Sequence, residues 1–195
     1  MNMFDRKLFS RSIAFGFFAF AAALPSLAQT KPQGLTPQPN QTDSALTAEV
    51  RKVFLSISDN TLKAAKEMPE ESYGFKPAGA TRTFGELVAH IANVQSTLCA
   101  NMNGDKAAKT PAVNQSKDSI VAAFTSSIGS CHAVFDELSA ENINTMVDTP
   151  SGKLTHLAAL VYIVTHESEE YGQLSIYLRI KNLEPPTHDD AKGMP

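Results

Sequence analysis

Two polar residues, His166 and Glu170, interrupt an apolar helical segment near the end of the chain. They are four residues apart, so in a helix their side chains share one face, with Cβ atoms about 6 Å apart. An imidazole and a carboxylate on one face are ligands that a divalent metal ion accepts, and burying them without a partner is costly. The simpler interpretation is a helix-surface pair. The intervening Glu167 and Glu169 are expected to face water.

His90 is the third candidate ligand, because it lies on the apolar side of a second helical segment that begins at Phe84. A metal site requires its ligands to converge from rigid elements. The residue types and spacings therefore indicate a candidate site made of His90, His166 and Glu170. The alternative is that each is an ordinary core residue whose polar atoms are satisfied by hydrogen bonds.

Four amphipathic segments are expected to position these residues, because apolar side chains recur in each at spacings of three and four. No segment has the alternating pattern of a strand, so we predict an all-α four-helix bundle. Helix 4 is expected to be the most buried. The predicted helices are helix 1 from Ser44 to Glu67, helix 2 from Phe84 to Asn103 after a Thr83–Glu86 capping box, helix 3 after an N-cap at Ser116, and helix 4 from Leu154 to Ile180.

The two cysteines, Cys99 and Cys131, suggest how helices 2 and 3 are arranged. Both lie roughly 22 Å from the start of their helix, at about 1.5 Å per residue, so they can meet if the helices run parallel. The connection over 103–115 is long enough for the return. We therefore predict a disulfide, which would add roughly 3–4 kcal/mol of stability. Two buried free thiols are the alternative.

The N-terminus has the parts of a secretory signal peptide: three basic residues, an apolar run over 13–24 and a small-residue cleavage pattern at 26–28. We therefore expect a periplasmic or secreted protein, with an uncleaved membrane anchor as the alternative. No other segment is apolar for long enough to cross a membrane. The predicted divisions are a signal peptide at 1–28, a flexible Pro/Gln-rich leader at 29–43, the bundle at 44–186 and a polar tail at 187–195.

The charge of the mature chain argues against a nucleic-acid partner. The signal peptide carries three basic residues and one acidic residue, so its removal changes the formal net charge from −3 to −5. The remaining basic residues are scattered rather than clustered. We expect a small-molecule partner, no nucleic acid, and no membrane contact after signal cleavage.

Two stretches of the chain resemble the DinB-like superfamily of damage-inducible and thiol-transferase-related bundles, in particular its exported branch. They are residues 72–77 leading into 83–92, and residues 166–179 leading to Pro185-Pro186. The resemblance spans about residues 46–186. It implies an up-down-down-up bundle with a zinc or nickel ion held by one histidine of helix 2 and two of helix 4. His90 and His166 match the first two ligands, and Glu170 stands where the third would usually be histidine.

The resemblance also implies a metal-dependent transferase or hydrolase. For such an enzyme we expect Gln173 or Tyr162 to orient a small-molecule substrate. DinB-like bundles often pair through helices, so a homodimer is compatible with the sequence, as is a monomer. The alternative function is a non-catalytic exported bundle, a binding or stress-related protein that has lost the metal.

Overall fold

Four helices and one short β-hairpin form the computed structural model, which describes residues 39–104, 115–149 and 152–187. The predicted signal peptide, residues 29–38 of the leader and residues 188–195 of the tail lie outside these ranges. Among the described residues, no helix combines the length and apolar character that a bilayer crossing needs. The elements are α1 (Pro39–Glu67), a short 3₁₀ helix (Glu70–Ser72), α2 (Phe84–Asn103), α3 (Lys117–Glu137), β1 (Met146–Thr149), β2 (Gly152–Thr155) and α4 (His156–Ile180).

Side-chain caps lie at the N-termini of α2 and α3 where the sequence predicts them. The Thr83 hydroxyl accepts from the Glu86 N–H, and the Glu86 carboxylate accepts from the Thr83 N–H, which completes the predicted capping box. Gly104 ends α2 at φ 72°, a left-handed conformation that glycine adopts without strain. Ser116 caps α3 by accepting from the Ser119 N–H.

The first helix begins earlier than predicted. α1 starts at Pro39 instead of Ser44, so the structure places residues 39–43 of the predicted leader in the helix. Proline suits a first helical turn, because its fixed φ is already helical and its missing N–H would have no partner there.

The β-hairpin is a feature that the all-α prediction missed. Its strands are antiparallel, with Met146 opposite Thr155 and Thr149 opposite Gly152. Four residues are too few for an alternating pattern to stand out in the sequence. Because β2 occupies residues 152–155, α4 begins at His156 rather than at the predicted Leu154, and the Thr155 hydroxyl caps it by accepting from the Ala158 N–H.

The helix with the largest buried share is α2, not α4 as the sequence predicted. Thirteen of the 20 residues of α2 are buried, against ten of the 25 in α4. The apolar run of α4 goes all round the helix, but one side of it faces solvent, where Val161 is 41% exposed.

Contacts between the helices follow a consistent order. Between α2 and α3, Gln95 bonds Ser127 and Cys99 is joined to Cys131, so the residue numbers of the paired positions increase together in the two helices. The Cα atoms of the two cysteines are 5.1 Å apart. Between α2 and α4 the order is reversed. Gln95 bonds Glu167, and Arg82, which precedes Gln95, accepts through its backbone carbonyl from Tyr177, which follows Glu167.

Two apolar clusters fill the interior of the bundle. The first surrounds Phe84 and includes Phe124 and Leu174. The second surrounds the disulfide and includes Phe54 and Leu160. Along each helix a buried polar residue lies between the two clusters: Ser58 on α1, Gln95 on α2, Ser127 on α3 and Glu167 on α4.

Candidate metal centre

Three side chains from α2 and α4 converge on one point. The Nε2 atoms of His90 and His166 are 3.2 Å apart. Each lies 3.6 Å from the same oxygen, Oε1 of Glu170. The three ligand atoms are all within 4.8 Å of one another. The structure therefore brings together the three residues that the sequence singled out.

The spacing of the three atoms suits a single ion. Zinc binds nitrogen and carboxylate oxygen at about 2.0–2.2 Å in tetrahedral geometry, which separates neighbouring ligand atoms by roughly 3.4 Å. The observed separations of 3.2 Å and 3.6 Å lie on either side of that value. A set of two imidazoles and one carboxylate also occurs in open zinc sites. The residues present therefore fit a divalent metal ion.

The electrostatic surroundings favour the metal-binding form of both histidines. Burial lowers the pKa of His90, and the charges of Arg82 and His166 lower it further. Burial also lowers the pKa of His166, although Glu170 and Glu169 partly offset that effect. These shifts favour the neutral form of both rings, and neutral imidazole is the form that binds a metal.

One side of the centre faces solvent. The His90 side chain is 28% exposed, whereas those of His166 and Glu170 are 14% and 9% exposed. Catalytic metal sites differ from structural ones in keeping a position open for water or substrate. The exposure of His90 supplies such an open side.

The two predicted substrate-contacting residues both adjoin the centre. Gln173 Nε2 donates to Oε2 of Glu170 over 2.8 Å, which leaves Oε1 directed at the imidazoles. The Tyr162 ring stacks on His166 with centroids 6.0 Å apart and an interplanar angle of 23°. Gln173 therefore orients a candidate ligand. Substrate contact by Gln173 or Tyr162 stays a prediction.

Glu167 is the residue that the sequence reasoning placed wrongly. It was expected to face water, but its side chain is fully buried, whereas Glu169 is exposed as expected. Its Oε2 accepts from Ser58 Oγ over 2.8 Å and from Gln95 Nε2 over 2.7 Å. Its Oε1 has no hydrogen-bond partner among the described residues. Burial raises the pKa of Glu167 to about 7, and the hydrogen bonds offset only part of that effect.

A signal for this burial was present in the sequence. Ile163, Glu167, Glu170 and Leu174 follow one another at spacings of four, three and four, which places them all on one face of α4. That face is the one that packs into the bundle.

Comparison with known proteins agrees with this architecture. The sequence model of the DinB superfamily matches residues 56–174, more than half of the chain, and the match includes all three candidate ligands. No curated protein matches the chain in sequence.

Solved structures resemble the fold at low sequence identity. A DinB-like protein from Bacillus cereus ATCC 10987 superposes with a TM-score of 0.58 at 16% identity, covering 72% of this chain and 95% of that one. A DinB-like protein from Bacillus subtilis gives a TM-score of 0.59 at 22% identity, with coverages of 72% and 97%. A conserved protein from Enterococcus faecalis gives 0.56 at 12% identity, with coverages of 69% and 95%. At these identities the likeness concerns the fold alone. The family match over residues 56–174 shows that the chain belongs to the DinB superfamily.

Proposed function

We propose that this protein binds one divalent metal ion, zinc or nickel, through His90, His166 and Glu170, and acts with it as a transferase or hydrolase on a small molecule. The observation that carries the proposal is the convergence of three ligand atoms at separations of 3.2 Å to 3.6 Å. Membership of the DinB superfamily supports it, as does the solvent-exposed side of His90.

Each residue of the centre has a separate part in this proposal. The His90 and His166 rings would offer their Nε2 lone pairs to the ion, and Glu170 would supply the only negative charge among the three ligands. Gln173 fixes the Glu170 carboxylate by donating to its second oxygen. A bound divalent ion supplies Lewis acidity, which lowers the pKa of a thiol or water molecule. Tyr162, which stacks on His166, would contact a small substrate bound at the centre.

We also propose that the protein is exported. The signal-peptide pattern of residues 1–28 supports export, and so does the Cys99–Cys131 pair, because disulfides persist mainly in oxidising compartments. An exported enzyme lacks ready access to cytoplasmic thiol cosubstrates, so the hydrolase version is the stronger of the two. The order of the interhelical contacts supports an up-down-down-up bundle, and pairing of such bundles through helices makes a homodimer part of this proposal.

A non-catalytic exported bundle is the second candidate, and one observation favours it. The 3.2 Å separation of the two Nε2 atoms is also a hydrogen-bond distance, so one ring can donate to the other without an ion. Glu170 in place of the usual histidine is compatible with a member that has lost its metal.

Metal analysis of the full chain, purified without a polyhistidine tag and incubated with zinc or nickel, separates these candidates. We expect about one equivalent of bound metal, and less than about a tenth of an equivalent would overturn the metal proposal. Glu170→Gln should weaken binding, because it removes the only anionic ligand. His132→Ala is the matched control, since His132 contacts Arg51 and Asp136 on the surface and not the centre.

Enzymatic activity needs its own test. Hydrolysis of activated esters and amides, and transfer of a small thiol to an electrophile, should be measured with and without a chelator. We expect turnover that the chelator abolishes and that added metal restores. A metal-loaded protein without turnover of either kind would favour the non-catalytic candidate.

A further inference from the structure

A connected set of hydrogen bonds crosses the bundle between the two apolar clusters. Ser58 of α1 and Gln95 of α2 both donate to Oε2 of Glu167 on α4, and Ser127 of α3 donates to Oε1 of Gln95 over 2.8 Å. Each of the four residues is at most 1% exposed. We call this set the polar layer. It includes one residue from every helix of the bundle.

The polar layer adjoins the candidate metal centre at the α2–α4 interface. On α4, Glu167 directly follows His166. On α2, Gln95 is five residues after His90. The 2.7 Å bond between Gln95 and Glu167 therefore links the same two helices that carry the candidate ligands, close to the point where the ligands meet.

The convergence of the ligands depends on the register between α2 and α4. A shift of one residue moves a position about 1.5 Å along the helix axis and rotates it by roughly 100°. Such a shift would separate two Nε2 atoms that are now 3.2 Å apart. Apolar contacts are non-directional, so the two clusters alone specify this register weakly.

Buried hydrogen bonds specify register more strongly, because a polar group moved away from its partner stays buried and unsatisfied. Gln95 has its amide nitrogen committed to Glu167 and its amide oxygen committed to Ser127. We propose that the Gln95–Glu167 hydrogen bond is a positioning contact that fixes the register of α2 against α4 and so brings His90 onto His166 and Glu170. Its consequence for metal affinity rests on the proposed function, whereas its consequence for the approach of the two histidines does not.

The structure offers a matched contrast within the polar layer. Ser58 donates to the same oxygen of Glu167 as Gln95 does, but its hydrogen bond ties α1 to α4 and does not involve a residue of α2. If the polar layer contributed only stability, loss of either bond would affect the metal centre equally. A positioning role of Gln95 makes the two losses unequal.

The first measurement is the zinc affinity of the full chain, by competition with a chromophoric chelator. Gln95→Leu keeps most of the side-chain volume but removes the link to α4, and we expect its zinc Kd to rise about tenfold. Ser58→Ala should change the Kd by less than about twofold on the same reasoning. Unfolding of the metal-free variants is measured in parallel. A change in Kd that only follows the loss of stability in both variants would overturn the proposal.

The variant Glu167→Gln separates loss of the Gln95–Glu167 hydrogen bond from loss of the Glu167 charge. Glu167→Gln keeps an acceptor oxygen for Gln95 and Ser58, so we expect it to retain the zinc Kd within about twofold. It is also the variant to rely on if Gln95→Leu fails to fold. A loss of affinity in Glu167→Gln as large as that expected for Gln95→Leu would show that the hydrogen bond is not the cause.

The second measurement needs no metal. In the metal-free chain, NMR cross-peaks between the His90 and His166 rings should be present in the unaltered protein and in Ser58→Ala, and should weaken or vanish in Gln95→Leu. If the unaltered protein binds no zinc, the proposed function fails and the cross-peaks alone decide this inference. Cross-peaks of unchanged intensity in Gln95→Leu would overturn it.

Discussion

Glu170 and Glu167 lie three residues apart on α4 and both face the interior, yet their neighbours differ in kind. Oε1 of Glu170 faces two imidazole nitrogens beside a solvent-exposed edge, and all three atoms can offer lone pairs to one point, while Oε2 accepts from Gln173. Glu167 faces a hydroxyl and an amide that both donate hydrogen bonds to it, and no solvent reaches it. Oε1 of Glu170 therefore lies where a cation can bind, whereas Oε2 of Glu167 is already satisfied by two donors. The hydrogen-bonding character of the neighbours, more than burial itself, separates a candidate ligand from a structural acid.

The largest effect expected from this contrast is on stability. Glu167→Ala leaves the buried Ser58 hydroxyl and Gln95 amide without their acceptor and opens a cavity, so we expect the free energy of unfolding to fall by about 3–4 kcal/mol. Glu170→Ala in metal-free protein should cost less than about 1 kcal/mol, because its donor Gln173 is exposed and can bond water instead. Chemical denaturation of both variants measures the difference. Equal losses of unfolding free energy in the two variants would contradict the proposed difference between Glu167 and Glu170.

The gain in stability on metal binding should depend on Glu170 and not on Glu167, the reverse of the order expected without metal. At a free zinc concentration of 100 times Kd, the unaltered protein should gain about 2.7 kcal/mol of stability. Glu170→Ala and His166→Ala should gain little, because each removes a ligand, whereas Glu167→Gln should gain as much as the unaltered chain. Denaturation with and without zinc gives the gain directly. A full gain in His166→Ala would place the ion elsewhere.

The raised pKa of Glu167 predicts a pH dependence with a definite sign. Its pKa rises from 4.5 in the unfolded chain to about 7 in the folded one, so the folded state holds the proton more tightly. The free energy of unfolding should therefore fall as pH rises, by about 2 kcal/mol between pH 5 and pH 7. Glu167→Gln has no proton to lose and should lack this fall. The two proteins are compared by denaturation in a chelator-containing buffer, where identical slopes would contradict the prediction.

The smallest expected effect is on zinc affinity when Gln173, the donor to Glu170, is removed. Gln173→Ala removes the donor to Oε2 and frees the carboxylate to rotate, so we expect zinc affinity to fall about fivefold, or roughly 1 kcal/mol. Ile176→Ala is the control on the same helix, because that side chain is 53% exposed. The chelator competition assay measures both variants. Unchanged affinity in Gln173→Ala would limit this residue to a substrate-contacting role.

Local signals in the sequence were enough to predict most of the fold. The Thr83–Glu86 capping box, the Ser116 cap and Gly104 each act within a few residues, so they are visible without knowledge of the tertiary structure. The three candidate ligands were also visible, because polar residues on an apolar helix face are conspicuous.

The errors have a different physical origin. Oε2 of Glu167 accepts from donors on α1 and α2, and a single segment does not show which residues of other helices will meet it. A charged residue is therefore assigned to solvent by default. The hairpin depends on pairing between two four-residue strands, which carries almost no pattern of its own.

The Cys99–Cys131 bridge has a consequence for how the molecule opens. It holds α2 and α3 together covalently, whereas α1 and α4 are held to them only by noncovalent contacts among the described residues. While the bridge is intact, α2 and α3 stay together at the level of Cys99 and Cys131. No such bridge holds α4 among the described residues, and its departure would carry His166 and Glu170 away from His90. An ion held by ligands of both α2 and α4 would therefore oppose that departure, so metal loading should slow the separation of the two helices.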